Sequence, residues 1–190
     1  MAYYTLEQLE NMGFKKLGVG VKISDKASLY NTESIEIGNN SRIDDFCVLS
    51  GQVKIGCNVH IAPFCLVAGG ELGITMEDFS GLAYGVQVFS QSDDYSGASL
   101  TNPTVPPRFK KEKKAAVSIG RHVIVGAGSM VFPGVNIAEG CSVGAMTLVN
   151  KSTKEWGIYL GNPARRIKER NKNLLEMEVA YLQGYENDTI

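Results

Sequence analysis

A six-residue repeat dominates this sequence. It is most regular between Ile119 and Lys151, where an aliphatic residue opens each hexad and a small or β-branched residue takes the fifth place. The opening residues are Ile119, Val125, Val131, Ile137, Val143 and Val149, and the fifth-place residues are Val123, Ser129, Val135, Cys141 and Thr147. This period fits neither an amphipathic helix nor an alternating strand. A fixed hexapeptide repeat is the signature of a parallel β-helix, in which each short strand stacks on its copy in the next coil.

The same phase occurs earlier in the chain. Aliphatic residues stand six apart from Ile37 to Val67, and the register resumes after three extra residues at Met76, Leu82 and Val88. The alternative is a β-sandwich with regularly spaced turns. Two long runs and a short one that obey both rules favour the β-helix.

The cysteines follow the repeat rather than a disulfide or metal pattern. Cys47, Cys65 and Cys141 take the fifth, small-residue place, and Cys57 takes an outward place. There is no CxxC pair, so the sequence does not indicate a zinc site, and we expect no metal. We expect the fifth-place cysteines to pack as small core hydrophobes.

Composition excludes several classes of protein. The net charge is −1, and no basic stripe with interleaved aromatic residues occurs, so nucleic acid is not an expected partner. The N-terminus has no charged segment followed by an apolar core, and no run approaches the roughly 18 apolar residues of a membrane span. A cytoplasmic protein without a membrane span is the expectation.

The repeat is flanked by segments with other patterns. Thr5 and Gln8 have the spacing of a capping box and predict a short N-terminal helix that covers the first coil. An imperfect apolar stripe predicts a second helix from about Ile167 to Gln183. The expected organisation is a helical cap over residues 1–18, a β-helix over 19–155 with a long loop at 90–117, and a C-terminal segment and helix over 156–190.

The repeat, together with the segment Gly-Asn-Pro-Ala-Arg that ends at Arg165, resembles the hexapeptide-repeat acyltransferases. The likeness is closest to the sugar O-acetyltransferases of the galactoside and maltose type and to surface-polysaccharide acetyltransferases. It implies an all-β fold, a left-handed parallel β-helix with a short N-terminal helix and a C-terminal helix. It also implies a homotrimer whose long loop helps to build the active site of a neighbouring subunit.

Transfer of an acetyl group to a hydroxyl or amine needs a base, and the only histidines are His60 and His122. In the resembling sugar acetyltransferases a histidine opens the long loop, whereas Asp93, followed by Asp94, stands at that place here. Either His60 is the base and Asp93 or Asp94 orients it, or an aspartate is itself the base, or the site is inactive. The first is favoured because a carboxylate with a pKa of about 4 is a weaker base than imidazole.

The remaining site residues follow from the resemblance. For the acceptor we expect Asp44, Asp45 and Tyr95, although the aspartate pair has the alternative role of satisfying a corner of the coil. For acetyl-CoA we expect small residues where the pantetheine approaches the backbone, polar residues beside it and a basic residue at the phosphates. These residues are Ala127, Ala145, Asn150, Lys151 and Arg165, with the Ala127 N–H as the candidate oxyanion donor.

The leading hypothesis is an acetyl-CoA-dependent acetyltransferase that acts on a sugar hydroxyl in surface polysaccharide biosynthesis. The first alternative is an N-acetyltransferase acting on an amino-sugar nucleotide, and the missing loop histidine keeps it open. The second alternative is a non-catalytic β-helix that serves as a scaffold or binding trimer. The matches at the expected CoA positions argue against the scaffold.

Overall fold

The computed structural model describes residues 2–187, with side chains described up to residue 184. Met1 and residues 188–190, the outer ends of the predicted cap and of the predicted C-terminal segment, lie outside the described residues.

The chain is built almost entirely from short strands. In chain order they are β1 (Lys16–Leu17), β2 (Lys22–Ile23), β3 (Ser28–Leu29), β4 (Ile35–Ile37), β5 (Arg42–Ile43), β6 (Val48–Ser50), β7 (Val53–Ile55), β8 (His60–Ile61), β9 (Leu66–Ala68), β10 (Ile74–Met76), β11 (Gly81–Leu82), β12 (Gln87–Phe89), β13 (Gln91–Ser92), β14 (Lys113–Lys114), β15 (Val117–Ile119), β16 (Ile124–Val125), β17 (Met130–Val131), β18 (Asn136–Ile137), β19 (Ser142–Val143), β20 (Leu148–Val149), β21 (Gly157–Leu160) and β22 (Arg165–Glu169). The helices are α1 (Leu6–Asn11) and α2 (Leu174–Asn187), and single 3-10 turns cover Thr32–Ser34 and Pro107–Phe109.

Three sheets form the faces of the β-helix, and all of their strand pairs are parallel except that of β21 with β22. Sheet 1 has the order β1-β4-β7-β10-β15-β18, sheet 2 has the order β2-β5-β8-β11-β16-β19-β21-β22, and sheet 3 has the order β3-β6-β9-β12-β17-β20. Ile37 pairs with Ile55, Ile43 with Ile61 and Leu49 with Val67, so one coil takes eighteen residues in this region. The predicted left-handed parallel β-helix with a helix near each end is confirmed.

The first and fifth places of each hexad are the buried places. The aliphatic openers of all three runs are at most 3% exposed, and the fifth-place residues, including Cys47, Cys65 and Cys141, are equally buried. Because strand side chains alternate between faces, the residue before each opener points outward. The openers therefore form a continuous apolar stack, which the buried hydroxyls of Ser41, Ser80, Ser129 and Thr147 border at the fifth places, and we expect the chemistry to lie on the outer faces or at the corners.

The corners are named by the sheets that they join. The sheet 1–2 corner carries Phe79, His122 and Trp156, and the sheet 2–3 corner carries Phe46, Phe64, Tyr84, Ala127, Ala145 and Met146. From the sheet 3–1 corner the chain leaves the coil after β12 and returns at β15. The base of this excursion is a small antiparallel ribbon of β13 and β14, which Lys114 ties to the coil through an ion pair of 3.0 Å with Glu71.

The N-terminal helix agrees with its sequence signal. Thr5 is the N-cap of α1, and its side chain accepts the Gln8 N–H while the Gln8 side chain accepts the Thr5 N–H. Leu9 is buried and joins the core at the first coils. The helix thereby covers strand edges that would otherwise be unpaired.

The C-terminal segment corrects the predicted helix boundary. Residues from Arg165 to Glu169 form β22, which pairs antiparallel with β21, and the helix begins only at Leu174. The antiparallel return satisfies the backbone of the last sheet 2 strand, and this need outweighs the weak helical stripe. No helix within the described residues has the length and apolarity to span a bilayer.

Candidate active site

His60 stands on the outer face of sheet 2. It is the first residue of β8, and because Ile61 points into the core, the imidazole points outward. In the ladder of outward residues, Arg42 of β5 lies on one side of His60 and Gly81 of β11 on the other. The repeat thus places Arg42 and His60 side by side on the outer face of a sheet whose inward strand residues Ile43 and Ile61 lie in the core.

An ionic chain links three side chains on this face. Arg42 Nε lies 2.6 Å from Asp44 Oδ1, and His60 Nε2 lies 2.8 Å from Asp44 Oδ2. The Asp44 side chain is only 3% exposed, whereas the His60 side chain is half exposed. Burial alone would raise the pKa of Asp44, but the hydrogen bonds from Arg42 and His60 outweigh it and hold the pKa below its usual value. Asp44 is therefore an anion at neutral pH.

This geometry selects one tautomer of His60. An ionised carboxylate accepts hydrogen bonds and donates none, so His60 Nε2 carries the proton that Asp44 accepts. Nδ1 is then left with its lone pair and is the atom able to take a proton. Both carboxylate oxygens of Asp44 are engaged within the chain, while Asp45 accepts a hydrogen bond from Ser24 and lies 3.7 Å from Lys26 Nζ.

A groove of about 630 Å³ opens beside His60. One wall is the outer face of sheet 2, with Gly81 and Ile124, and the other is α2, with Leu174 and Met177. Tyr181 of α2 reaches across and donates a hydrogen bond of 3.2 Å to Asn58. His122 lines the same groove. A mostly apolar groove with a few polar groups in its wall is the usual form of a small-molecule site.

His122 has a structural environment. Its ring stacks on Phe79 with a centroid distance of 5.4 Å, and its Nε2 lies 2.9 Å from Glu178 of α2. Burial, helped by Arg121 and Arg170, lowers the pKa of His122, so the neutral ring donates to Glu178. This histidine fastens α2 to the sheet 1–2 corner.

The acidic residues of the loop do not meet His60 within one chain. Asp94 accepts hydrogen bonds from the Ser96 N–H, the Ser96 hydroxyl and the Ser99 hydroxyl, and Asp93 accepts one from the Asn102 N–H. Together with Tyr95, which is 89% exposed, both aspartates line a second cavity of about 480 Å³ inside the loop. In a single chain the partner of His60 is Asp44, which lies one coil below it.

The residues expected at CoA lie in three places. Ala127 and Ala145 stack at the sheet 2–3 corner, where the Met146 N–H donates to the Ala127 carbonyl at 2.8 Å, and Arg165 lies exposed on β22, opposite Leu160. Within the described residues the Ala127 N–H donates to no acceptor, as an oxyanion donor requires. Asn150 and Lys151 are exposed and follow β20, at the next corner.

The sequence interpretation missed two contributors. Arg42 was not singled out, although its separation of one coil from His60 predicts the stacking that the structure shows. Gly81 was not singled out either, although it takes the corresponding place one coil above His60. Among residues 2–187, no group of three or more histidine, cysteine, aspartate or glutamate side chains is arranged to hold a metal ion.

Comparison with known proteins identifies a matching family and similar enzymes. Residues 34–69 match the family of bacterial transferase hexapeptide repeats (six repeats). The dTDP-4-amino-4,6-dideoxy-D-glucose acyltransferase of Escherichia coli is 42% identical over 184 residues, which cover 95% of each chain.

Two solved structures of AntD, an N-acyltransferase from Bacillus cereus, are similar over nearly their whole length. AntD in complex with dTDP and 3-hydroxybutyryl-CoA has a TM-score of 0.96 and 46% identity, covering 97% of this chain and 98% of AntD. A variant of AntD in complex with dTDP-4-amino-4,6-dideoxyglucose and coenzyme A has a TM-score of 0.95 and 46% identity, covering 96% of this chain and 98% of that chain. These similarities confirm the predicted enzyme class, an acyltransferase, and the chain belongs to the hexapeptide-repeat acyltransferase family.

Proposed function

We propose that this protein transfers an acyl group from an acyl-CoA to the amino group of a dTDP-linked amino-deoxy sugar. The observation that carries the proposal is the chain from Arg42 through Asp44 to His60, which presents an oriented base at the edge of a groove. Relatives whose names include such a sugar, or whose structures hold it with coenzyme A, support the substrate class.

The residues supply the elements of thioester aminolysis. The sugar nitrogen attacks the thioester carbonyl, a C–N bond forms, and His60 Nδ1 takes the proton that the nitrogen loses. The C–S bond then breaks and the proton passes to the CoA thiolate. Asp44 stabilises the imidazolium formed in between, and Arg42 keeps Asp44 ionised throughout.

Both acceptor classes predicted from the sequence, a hydroxyl and an amine, share this chemistry. We favour the amine because the similarity to the dTDP-4-amino-4,6-dideoxy-D-glucose acyltransferase extends over 95% of both chains. An amine is also the stronger nucleophile and needs less help from a base than a hydroxyl does. Acetyl-CoA remains a candidate donor, and the product would serve surface polysaccharide biosynthesis in the cytoplasm.

We further propose a homotrimer in which the loop of one protomer completes the groove of the next. Phe46 and Phe64 stack with a centroid distance of 5.2 Å on the outside of the sheet 2–3 corner, and both are more than half exposed. Bare aromatic stacks of this kind mark protein contact surfaces. A neighbouring protomer bound at this corner would bring its Asp93, Asp94 and Tyr95 toward the groove of the first protomer. The loop of the first protomer does not reach that groove.

The proposal is tested by thiol release from acyl-CoA in the presence of dTDP-4-amino-4,6-dideoxyglucose, dTDP-glucose or maltose. We expect turnover with the amino sugar and a loss of about 100-fold or more in kcat for His60→Gln, because a general base contributes factors of about 10² to 10⁴.

The matched variant is His122→Asn, which removes the other histidine while keeping a residue that tolerates its φ of 59°. We expect it to lose far less turnover than His60→Gln. The reverse order would move the base to His122. Turnover with maltose alone would restore the hydroxyl acceptor.

A further inference from the structure

The backbone conformation at Gly81 does not require glycine. Gly81 lies in the interior of the sheet 2 ladder, outside the left-handed region, and a Cβ placed on it would meet only the His60 carbonyl oxygen at 3.4 Å. Gly126 gives the contrast, since a Cβ there would lie 2.5 Å from the Ala145 nitrogen. Packing between coils therefore demands glycine at 126 but not at 81.

A glycine inside a strand costs about 0.5–1 kcal/mol relative to alanine and often marks a place where a ligand approaches. The missing side chain at Gly81 leaves a hollow between His60 and Ile124 on the same ladder. The hollow opens into the groove, and Leu174 and Met177 of α2 face it from the other wall. Its surroundings are a base on one side and hydrocarbon on the others.

The charges around the groove limit what the hollow accepts. Arg170, the cation in its lining, donates to the carbonyls of His122, Gly140 and Cys141 at 2.6, 3.0 and 3.3 Å. Glu178, its carboxylate, is held by Arg121 and His122. A diphosphate finds no uncommitted cation in this lining. Of the polar side chains that could meet a sugar ring, Tyr181 and Asn58 bond to each other and Glu178 bonds to Arg121 and His122. A hydrocarbon chain fits the lining.

We propose that the hollow over Gly81 binds the hydrocarbon chain of the donor's acyl group, and that Gly81 sets the chain length that the enzyme accepts. The inference rests on the proposed acyl transfer and specifies its donor as an acyl-CoA longer than acetyl-CoA. With the chain in the hollow, the thioester carbonyl lies on the side of His60, where the attacking nitrogen loses its proton.

The test compares kcat/KM for acetyl-CoA and butyryl-CoA with one acceptor. We expect wild type to prefer butyryl-CoA by about tenfold or more, because a single methylene in an apolar pocket is worth about 10- to 200-fold. Gly81→Ala should reduce the butyryl-to-acetyl ratio, and Gly81→Val should bring it close to one. The control Ser142→Val adds the same side chain to the same ladder, beyond Ile124 and outside the groove lining, and should leave the ratio as it is.

A wild-type ratio near one, or a ratio that Gly81→Val leaves unchanged, would overturn the proposal. If wild type transfers neither acyl group, the proposed function fails, and calorimetry with butyryl-CoA and CoA then decides the role of the hollow. An affinity gain from the butyryl chain that is lost in Gly81→Val would uphold it. Equal affinities for butyryl-CoA and CoA would show that the hollow does not bind the acyl chain.

Discussion

Two corners of the β-helix share a backbone conformation but differ in their exposure to solvent. Phe79, His122 and Trp156 at the sheet 1–2 corner, and Phe46, Phe64 and Met146 at the sheet 2–3 corner, all have φ between 53° and 67°. At the first corner His122 and Trp156 are 7% and 6% exposed, whereas at the second Phe64 and Met146 are 63% and 76% exposed.

The first corner is covered by the chain itself. Glu178 of α2 binds His122, Arg170 donates to the His122 carbonyl, and Lys172 lies 5.1 Å from the centre of the Trp156 ring. No segment among the described residues covers Phe64 and Met146 in the same way. The C-terminal helix therefore covers one corner and leaves the other exposed, and the exposed corner is the contact surface of the trimer that we propose.

The largest expected effect comes from placing a charge on the bare corner. Phe64→Glu should convert the proposed trimer to monomers and reduce turnover by about 100-fold or more, because a buried unpaired carboxylate is strongly disfavoured in an interface. Light scattering after gel filtration reports the mass, and thiol release reports the activity.

The control for this variant is Val19→Glu, which adds the same charge at a residue that is 80% exposed outside the bare corner. It should keep the mass and turnover of wild type. A Phe64→Glu protein that remains a trimer, or a monomer with full activity, would show that the bare corner does not form the site-building interface.

A smaller effect is expected at the covered corner. Trp156 packs over Gly140, and truncation of a buried aromatic residue to alanine costs about 3–5 kcal/mol. Trp156→Ala should therefore lower the free energy of unfolding by that amount in urea titrations. In the monomeric Phe64→Glu background, Met146→Ala at the bare corner should cost about 0.5 kcal/mol or less. Similar losses of unfolding free energy at both corners would show that the two corners do not differ in how well they are packed.

The sequence predicts the parts of this molecule that the repeat governs. Every hexad opener, from Ile37 to Val149, points inward because its register fixes the face on which it lies. The same arithmetic places Arg42 beside His60, one coil away, and Asp44 within its reach. The spacing alone thus predicts that Arg42, Asp44 and His60 lie together on sheet 2, even though Arg42 was not singled out as a site residue.

The sequence does not predict what lies outside the repeat. Residues from Ile167 to Glu169 were expected to be helical, yet they belong to β22, which pairs with the otherwise unpaired edge of β21. The position of α2 depends on contacts such as that of Glu178 with His122, which no local pattern encodes. In the proposed trimer the roles of Asp93 and Asp94 depend on a neighbouring protomer, so neither a local pattern nor a single chain specifies them.

The most direct test of the shared site is complementation between two inactive variants, His60→Gln and Asp93→Ala, co-expressed with different tags and purified as mixed trimers. If the base comes from one protomer and the loop from the next, a closed ring of identical interfaces leaves about one site in three with both residues intact in every mixed trimer, whichever variant supplies two of the protomers. We predict recovery of about a third of wild-type turnover. If His60 and Asp93 act within one chain, every site carries a defect and the mixed trimers stay inactive, a result that would contradict the account.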